Sequence, residues 1–236
     1  MGLTGIYGKC LITGGNGLLG SNLIPLFDIE VLAPSSKELD ITNIGLVNEF
    51  FELHSDVDLV VHCAAYTDVK RAEQDFMKCN EVNVMGTYNI LRQCAKRNIK
   101  MIHISTDAVF DGVDGSYSPT DKLNPVSKYA KSKTAAELMV RTYDNSLILR
   151  TSFFGKQFPY EKAFTDQWTT KDYIDIMAPK IYSEIKLNKC GVSHVLSLRR
   201  TLYELAKIRK PDVLPSKSKD QNYGFDLPTD LSLIRS

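Results

Sequence analysis

Residues 9–20 read KCLITGGNGLLG, a short apolar run that leads into a glycine-rich loop. The run predicts a buried strand at 9–13, and the apolar residues after the loop predict a helix at 18–27. Glycines at 14, 17 and 20 suit a tight turn, the close approach of a pyrophosphate, and the packing of a helix on a sheet. Because free N–H groups at a helix N-terminus favour an anion, this arrangement predicts a dinucleotide site. The predicted contacts are Gly14, Asn16, Gly17, Leu18, Leu19 and Gly20.

The alternation of strands and helices continues beyond this loop. Further strands are predicted at 30–33, 58–63, 101–105 and 146–150, and further helices at 44–53, at 70–97 with a break near 80–83, and at 125–141. Such alternation is typical of right-handed βαβ units. The predicted fold class is therefore α/β, with a Rossmann-like doubly wound parallel sheet in residues 1–151. After residue 151 the pattern loosens, so residues 152–236 are predicted to form a small substrate-binding lobe and a C-terminal tail.

The end of the second strand bears on the choice of cofactor. A site for NAD usually has an acidic side chain there, which binds the ribose 2′-hydroxyl. This chain reads LAPSSK at 32–37 and has no carboxylate until Glu38. Ser35, Ser36 and Lys37 are suited to hold a 2′-phosphate, so we expect NADPH, with NADH as the alternative. The competing interpretation is that these residues form an ordinary solvated loop.

Two further segments are predicted to contact the cofactor. Asp40 either accepts a hydrogen bond from the adenine amino group or caps the next helix, and Ile41 lies beside it. The small residues after the third strand allow the backbone to pass close to a flat ring system. That segment comprises Cys63, Ala64, Ala65 and Tyr66. Asn83 either orders this loop or interrupts a helix.

A second motif predicts the chemistry. Tyr129 and Lys133 are four residues apart on a predicted helix, so they share one face. An ammonium near the phenol would lower the phenol pKa, and such a tyrosine can exchange a proton with a carbonyl or an alcohol. Ser105 and Thr106 end the fourth strand, at the edge of the sheet where these folds bind ligands. Thr106 is the better candidate to bind the substrate oxygen. Taken with the glycine loop, these residues predict hydride transfer from a nicotinamide cofactor.

Composition excludes several other classes. The chain has 236 residues, 43% of them hydrophobic, and a net charge of +1, so no global field favours nucleic acid or a membrane surface. Five cysteines without a Cys-x-x-Cys pattern predict a reduced, cytoplasmic protein. Four histidines without metal-ligand spacing predict no metal site.

Four motifs together resemble the extended short-chain dehydrogenase/reductase family. They are TGGNGLLG, CAAYTDV, STDAVFDG and YAKSK, and the likeness is greatest to its dTDP-4-dehydrorhamnose reductases. The resemblance implies that Thr106, Tyr129 and Lys133 are catalytic and that Lys133 also bonds the nicotinamide ribose. It implies a cofactor contact from Ser105. The implied or candidate substrate contacts are Thr67, Thr106, Asp107, Tyr129, Phe153 and the pair Asp166–Gln167.

The implied function is the reduction by NADPH of the C4 carbonyl of a 4-keto-6-deoxy sugar nucleotide, carried by dTDP or UDP. The expected partners are that nucleotide sugar and, as one option, a second copy of the chain. Two departures from the family leave alternatives open. Ala108 replaces a usual aromatic residue, and the region after residue 151 is shortened. The alternatives are a bifunctional 3,5-epimerase/4-reductase of a UDP-sugar and a non-catalytic NADP-binding regulatory subunit.

Overall fold

The computed structural model describes residues 2–220 and 225–235. The strands are β1 (Lys9–Thr13), β2 (Glu30–Leu32), β3 (Leu59–His62), β4 (Lys100–Thr106), β5 (Ser146–Thr151), β6 (Phe153–Phe154), β7 (Lys162–Phe164), β8 (Trp168–Thr169), β9 (Asp172–Tyr173), β10 (Gly191–His194), β11 (Arg200–Thr201), β12 (Leu214–Ser216) and β13 (Asp230–Leu231). The α-helices are α1 (Leu18–Leu23), α2 (Ile44–Leu53), α3 (Val69–Gln74), α4 (Phe76–Asn80), α5 (Thr87–Arg97), α6 (Lys128–Val140), α7 (Ile174–Lys186) and α8 (Leu202–Lys207). A π-helical segment, Glu81–Gly86, joins α4 to α5, and short 3₁₀ turns lie at Ile24–Leu26, Asp107–Val109 and Ser218–Asp220.

Six parallel strands form the central sheet, in the order β2-β1-β3-β4-β5-β10. Alternate residues of these strands pack into two cores. One core lies against α1 and α7, and the other against α2, α5 and α6. Helices cover both faces, which explains why the strands read as nearly continuous apolar runs. The predicted Rossmann-like fold is confirmed.

Several helix boundaries differ from the sequence-based expectation. Helix α1 ends at Leu23 rather than at residue 27 and is followed by the 3₁₀ turn Ile24–Leu26. Helix α6 begins at Lys128 rather than at Pro125, because the Ser127 hydroxyl accepts a hydrogen bond from the Ala130 N–H at 3.1 Å and caps the helix there. The predicted break near 80–83 coincides with the π-helical segment. A second interruption precedes it, where Asp75 caps α4 by accepting from the Lys78 N–H.

Residues beyond 151 contribute to the central sheet as well as to smaller layers. Helix α7 packs in the same core as α1, and β10 extends the sheet beside β5. The other strands of this region form short pairs, β6 with β9 and β7 with β12, while β8 lies between β11 and β13. The division at residues 151 and 152 stays a prediction, and residues 221–224 and 236 of the predicted lobe lie outside the described part.

Among residues 2–220 and 225–235, no helix combines the length and apolarity that crossing a membrane requires.

Candidate active site

The glycine loop has the conformation that a dinucleotide site requires. Gly14 has a φ of +68°, and its carbonyl accepts a hydrogen bond from the Gly17 N–H at 2.9 Å, which closes the turn. A Cβ on Gly14 would lie 2.8 Å from Ala64 Cα, and one on Gly20 only 2.5 Å from the Gly14 carbonyl oxygen. Gly17 is the N-cap of α1 and has no side chain to bond the first N–H groups of the helix. These backbone donors suit a pyrophosphate.

A cavity of about 770 Å³ begins at this loop and extends along the carboxyl ends of the strands to α6. Most of the predicted site residues line it. They are Gly14, Gly17, Leu18, Leu19, Gly20, Ser36, Asp40, Ile41, Cys63, Ala64, Ala65, Thr67, Ser105, Thr106, Asp107, Tyr129, Lys133, Phe153 and Gln167. Within the described part of the chain, the lining does not include Asn16, Ser35, Lys37, Tyr66 or Asp166. One continuous cavity therefore joins the glycine loop to the predicted catalytic residues.

The segment after β2 brings one serine to the cavity. Ser36 lines it, whereas the Ser35 N–H donates to a carboxylate oxygen of Glu38 at 2.7 Å. This hydrogen bond lowers the pKa of Glu38. The carboxylate is thus turned back on its own loop, so of the three residues predicted to hold a 2′-phosphate Ser36 is placed best.

Asp40 lines the cavity but does not cap α2. Its Oδ1 accepts from the N–H and the hydroxyl of Thr42, at 2.9 and 2.8 Å. The N-cap of α2 is Asn43, whose side chain accepts from the N–H groups of Gly45 and Leu46. The capping alternative for Asp40 is therefore wrong, and its contact with adenine stays a prediction.

Asn83 orders the loop after β3. Its Oδ1 accepts from the Tyr66 N–H at 2.7 Å, and its Nδ2 donates to the Tyr66 carbonyl at 3.1 Å. The same amide donates to the Ser132 hydroxyl on α6 at 2.9 Å. Asn83 thereby fixes the backbone of the segment that includes Ala64 and Ala65.

Lys133 is buried, and its ammonium is directed at β4. It donates to the carbonyl of Ile104 at 2.7 Å and is 4% exposed. Burial lowers the pKa of Lys133 to about 8. The ammonium therefore binds the end of the strand that carries Thr106.

The pKa of Tyr129 is raised, chiefly by desolvation and then by the Asp107 carboxylate. The sequence-based expectation of a lowered pKa for Tyr129 is wrong, because burial of the phenol dominates. A phenol with a raised pKa keeps its proton at neutral pH. A protonated Tyr129 can act as a proton donor, and this role stays a prediction.

Asp107 lies next to these groups. Its Oδ1 accepts from the Thr106 hydroxyl at 3.1 Å, and the side chain is 4% exposed. Burial raises the pKa of Asp107, and the charge of Lys171 opposes that effect. The cavity wall therefore includes the phenol of Tyr129, the hydroxyl of Thr106 and the carboxyl group of Asp107.

Some lining residues were missed by the sequence-based prediction. Lys171 lines the cavity, and its ammonium lies 5.1 Å from the centre of the Phe154 ring. Residues 225–235, here called the C-terminal strap, also pass the cavity. From it Phe225, Leu227, Pro228 and Leu231 form part of the wall. No local pattern marks these residues, since they are about 65 to 125 residues from Thr106 along the chain.

The sequence model of the family described as RmlD substrate binding domain matches residues 8–177. The chain is 38% identical over 155 residues to the dTDP-4-dehydrorhamnose reductase of Aggregatibacter actinomycetemcomitans, covering 63% of this chain and 52% of that protein. It is 37% identical over 164 residues to the enzyme of the same name from Mycobacterium tuberculosis strain H37Rv, covering 64% and 53%. The chain thus spans about half the length of these curated relatives.

A solved structure gives a longer match. The crystal structure of dTDP-4-dehydrorhamnose reductase from Bacillus anthracis, in complex with NADP, matches with a TM-score of 0.89 and 26% identity. The match covers 98% of this chain and 91% of that one.

Proposed function

The chain belongs to the RmlD substrate binding domain family. We therefore propose that it reduces the C4 carbonyl of a 4-keto-6-deoxy sugar nucleotide. The first candidate substrate is dTDP-4-dehydrorhamnose. The membership bears out the resemblance to extended short-chain dehydrogenases/reductases. The observation that carries the proposal is the single cavity, which is lined both by the glycine loop and by Thr106, Tyr129 and Lys133.

NADPH is the proposed cofactor, and the described residues fit it. The space above Gly14 and Gly20 is too narrow for a Cβ, and the first turn of α1 offers backbone N–H groups to a pyrophosphate. Ser36 lines the cavity, and the nearby Glu38 is turned toward Ser35, so we assign the 2′-phosphate to Ser36. NADP in the Bacillus anthracis structure supports this choice. When bound, the reduced nicotinamide supplies a hydride.

The residues of the chain supply proton transfer and orientation. Tyr129 retains its proton, because its pKa is raised, and donates it to the carbonyl oxygen as negative charge develops there. We assign to the Thr106 hydroxyl a hydrogen bond to the same oxygen, in exchange for its present bond to Asp107. Lys133 stays mostly protonated at pH 7, because its pKa is about 8, and we assign to it the ribose of the cofactor.

The decisive measurement is the oxidation of NADPH, with NADH in parallel, on dTDP-4-dehydro-L-rhamnose and on its UDP analogue. Turnover of the dTDP sugar supports the proposal, whereas turnover of the UDP sugar alone favours a UDP-sugar reductase. Binding of NADPH without turnover of either sugar would leave a regulatory subunit as the better assignment.

Replacement of Tyr129 by phenylalanine tests the proposed proton donor. We expect Tyr129→Phe to lower kcat by about 100-fold or more, since a positioned acid contributes roughly that much, and to leave NADPH affinity nearly unchanged. Tyr88→Phe, at a 42% exposed position on α5, is the matched control and should behave as the wild type. Full activity in Tyr129→Phe would show that another group donates the proton.

We also place the reaction in the cytoplasm, where the five free cysteines would remain reduced. A homodimer stays a prediction.

A further inference from the structure

A buried carboxylate outside the cavity lining connects three elements of the site. Glu137 on α6 is fully buried and accepts hydrogen bonds from Arg150 on β5, the closest at 2.7 Å, and from Arg141 at 2.6 Å. Its second oxygen accepts from the Ser105 hydroxyl on β4 at 2.7 Å. The bond to Arg150 joins two side chains that are both 0% exposed.

These contacts lie next to the residues that the reaction needs. Ser105 immediately precedes Thr106, and Glu137 follows Lys133 by one helical turn. Lys133 itself donates to Ile104, the residue before Ser105. Two consecutive residues of β4 are therefore bonded to two consecutive turns of α6. Together these bonds fix Thr106 relative to the helix that carries Tyr129.

Glu137 also acts on the charge of Lys133. Its negative charge raises the pKa of Lys133, against the larger opposite effect of burial. The other titratable groups whose charges couple to Lys133 are the thiols of Cys63 and Cys79 and the imidazoles of His62 and His103. Burial raises the pKa of both thiols and lowers the pKa of both histidines, so these groups are neutral at pH 7. Glu137 is thus the charged member of this set.

We propose that Glu137 is a positioning residue for the reaction proposed above: it holds Thr106 against Tyr129 through Ser105, and it supplies the negative charge that keeps Lys133 protonated.

The charge part can be tested without cofactor or substrate, by urea unfolding of the wild type and Glu137→Gln from pH 6.5 to 10. Lys133 has a pKa of about 8 when folded and about 10.5 when unfolded, so the folded chain binds fewer protons between these values. Stability contributed by this group is therefore lowest below pH 8 and rises with pH across that window. Without the carboxylate, the folded pKa falls and the rise should begin at lower pH. Glu137→Asp, which keeps the charge, should restore the wild-type onset.

The contacts of Arg150 create a risk that Glu137→Gln alone does not fold. The double variant Glu137→Gln/Arg150→Met removes both buried charges. If the single variant does not fold, the unfolding measurement is made on the double variant. The carboxylate of Glu137 is absent from this variant too, so an earlier onset is again expected. An onset equal to that of the wild type, in whichever variant folds, would overturn the charge role.

The positioning part is tested by Ser105→Ala, which keeps every charge. We expect kcat to fall about tenfold or more, because a small misplacement of catalytic groups is costly, with no shift of the pH profile. Glu137→Gln should lower kcat and also move the alkaline limb of the profile to lower pH. Wild-type kcat in Ser105→Ala would overturn the positioning role. If the wild type itself turns over neither sugar, the proposed function and the positioning role both fail, and the unfolding data still decide the charge role.

Discussion

At the scale of single residues, Ser36 is the side chain that we propose to select NADPH over NADH. It lines the cavity, whereas the neighbouring Ser35 and Lys37 do not. A carboxylate at this position would repel a 2′-phosphate and would accept hydrogen bonds from the two ribose hydroxyls of NADH. We expect Ser36→Asp to raise the ratio of the Kd for NADPH to the Kd for NADH by about tenfold or more. Fluorescence titration of both cofactors measures this ratio.

The matched control is Ser35→Asp, one residue earlier and outside the cavity lining. It should change the ratio much less. Equal effects at both positions would mean that only the total charge of the loop matters and that Ser36 has no specific contact.

The residue scale also shows where prediction from the sequence stopped. The spacing of Tyr129 and Lys133 was sufficient to place both on one face of a helix beside a cofactor site. It did not predict which atom the ammonium binds, because Ile104 lies on another element and offers only its backbone carbonyl. The pKa of Tyr129 is raised chiefly by burial of the phenol and then by the Asp107 carboxylate, and neither is visible in the spacing, so its direction was predicted with the wrong sign.

At the scale of elements, the π-helical segment Glu81–Gly86 holds a cavity loop through one side chain. Asn83 bonds both the N–H and the carbonyl of Tyr66. Asn83→Ala would leave these groups without the partner and cost roughly 1–3 kcal/mol of unfolding free energy. We also expect a higher KM for NADPH, since Ala64 and Ala65 line the cavity in the same loop. Urea unfolding and steady-state kinetics measure the two effects.

Asn80→Ala, at the end of α4 and on the wall of a separate outer groove, is the control for this change. It should leave the KM for NADPH close to that of the wild type. If Asn83→Ala lost stability without a change in KM, the loop would hold its shape by other contacts.

The elements themselves were the best predicted part of the molecule. Strands such as β1 and β4 are apolar runs bounded by turn residues, and the glycine loop gives the direction of the chain after β1. The start of α6 was placed too early, since Pro125 suits a first helical turn but Ser127 provides the cap. Local signals therefore locate an element well and its first residue less well.

At the scale of the whole molecule, the contribution of the strap to the cavity wall could not be inferred from the sequence. The backbone N–H of Trp168 donates to the Thr229 carbonyl, and the Gln167 side chain donates to the Pro228 carbonyl at 2.7 Å. The carbonyl of Gly112 accepts from the N–H of Asp230 at 2.8 Å. All of these bonds join segments more than sixty residues apart. Such contacts follow from the complete fold and leave no periodic trace in the chain.

The strap should accordingly contribute to substrate binding and not to cofactor binding. Leu231 is half-buried in the cavity wall, and in the sheet it pairs with Thr169 of β8, two residues before Lys171. Leu231→Asn keeps the number of side-chain heavy atoms and the branched shape, and replaces an apolar wall by an amide. We expect it to raise the KM for the sugar nucleotide by about tenfold, the loss of roughly 1.4 kcal/mol of apolar contact, while the Kd for NADPH stays unchanged.

Ile234→Asn is the matched control, because this side chain belongs to the same strap, is 45% exposed and lies outside the cavity lining. It should leave both constants as they are. An equal loss of NADPH affinity in Leu231→Asn would mean that the strap supports the entire cavity. An unchanged KM for the sugar would mean instead that the substrate binds away from it. A higher KM for the sugar nucleotide with an unchanged Kd for NADPH would thus show that the strap contacts the substrate and not the cofactor.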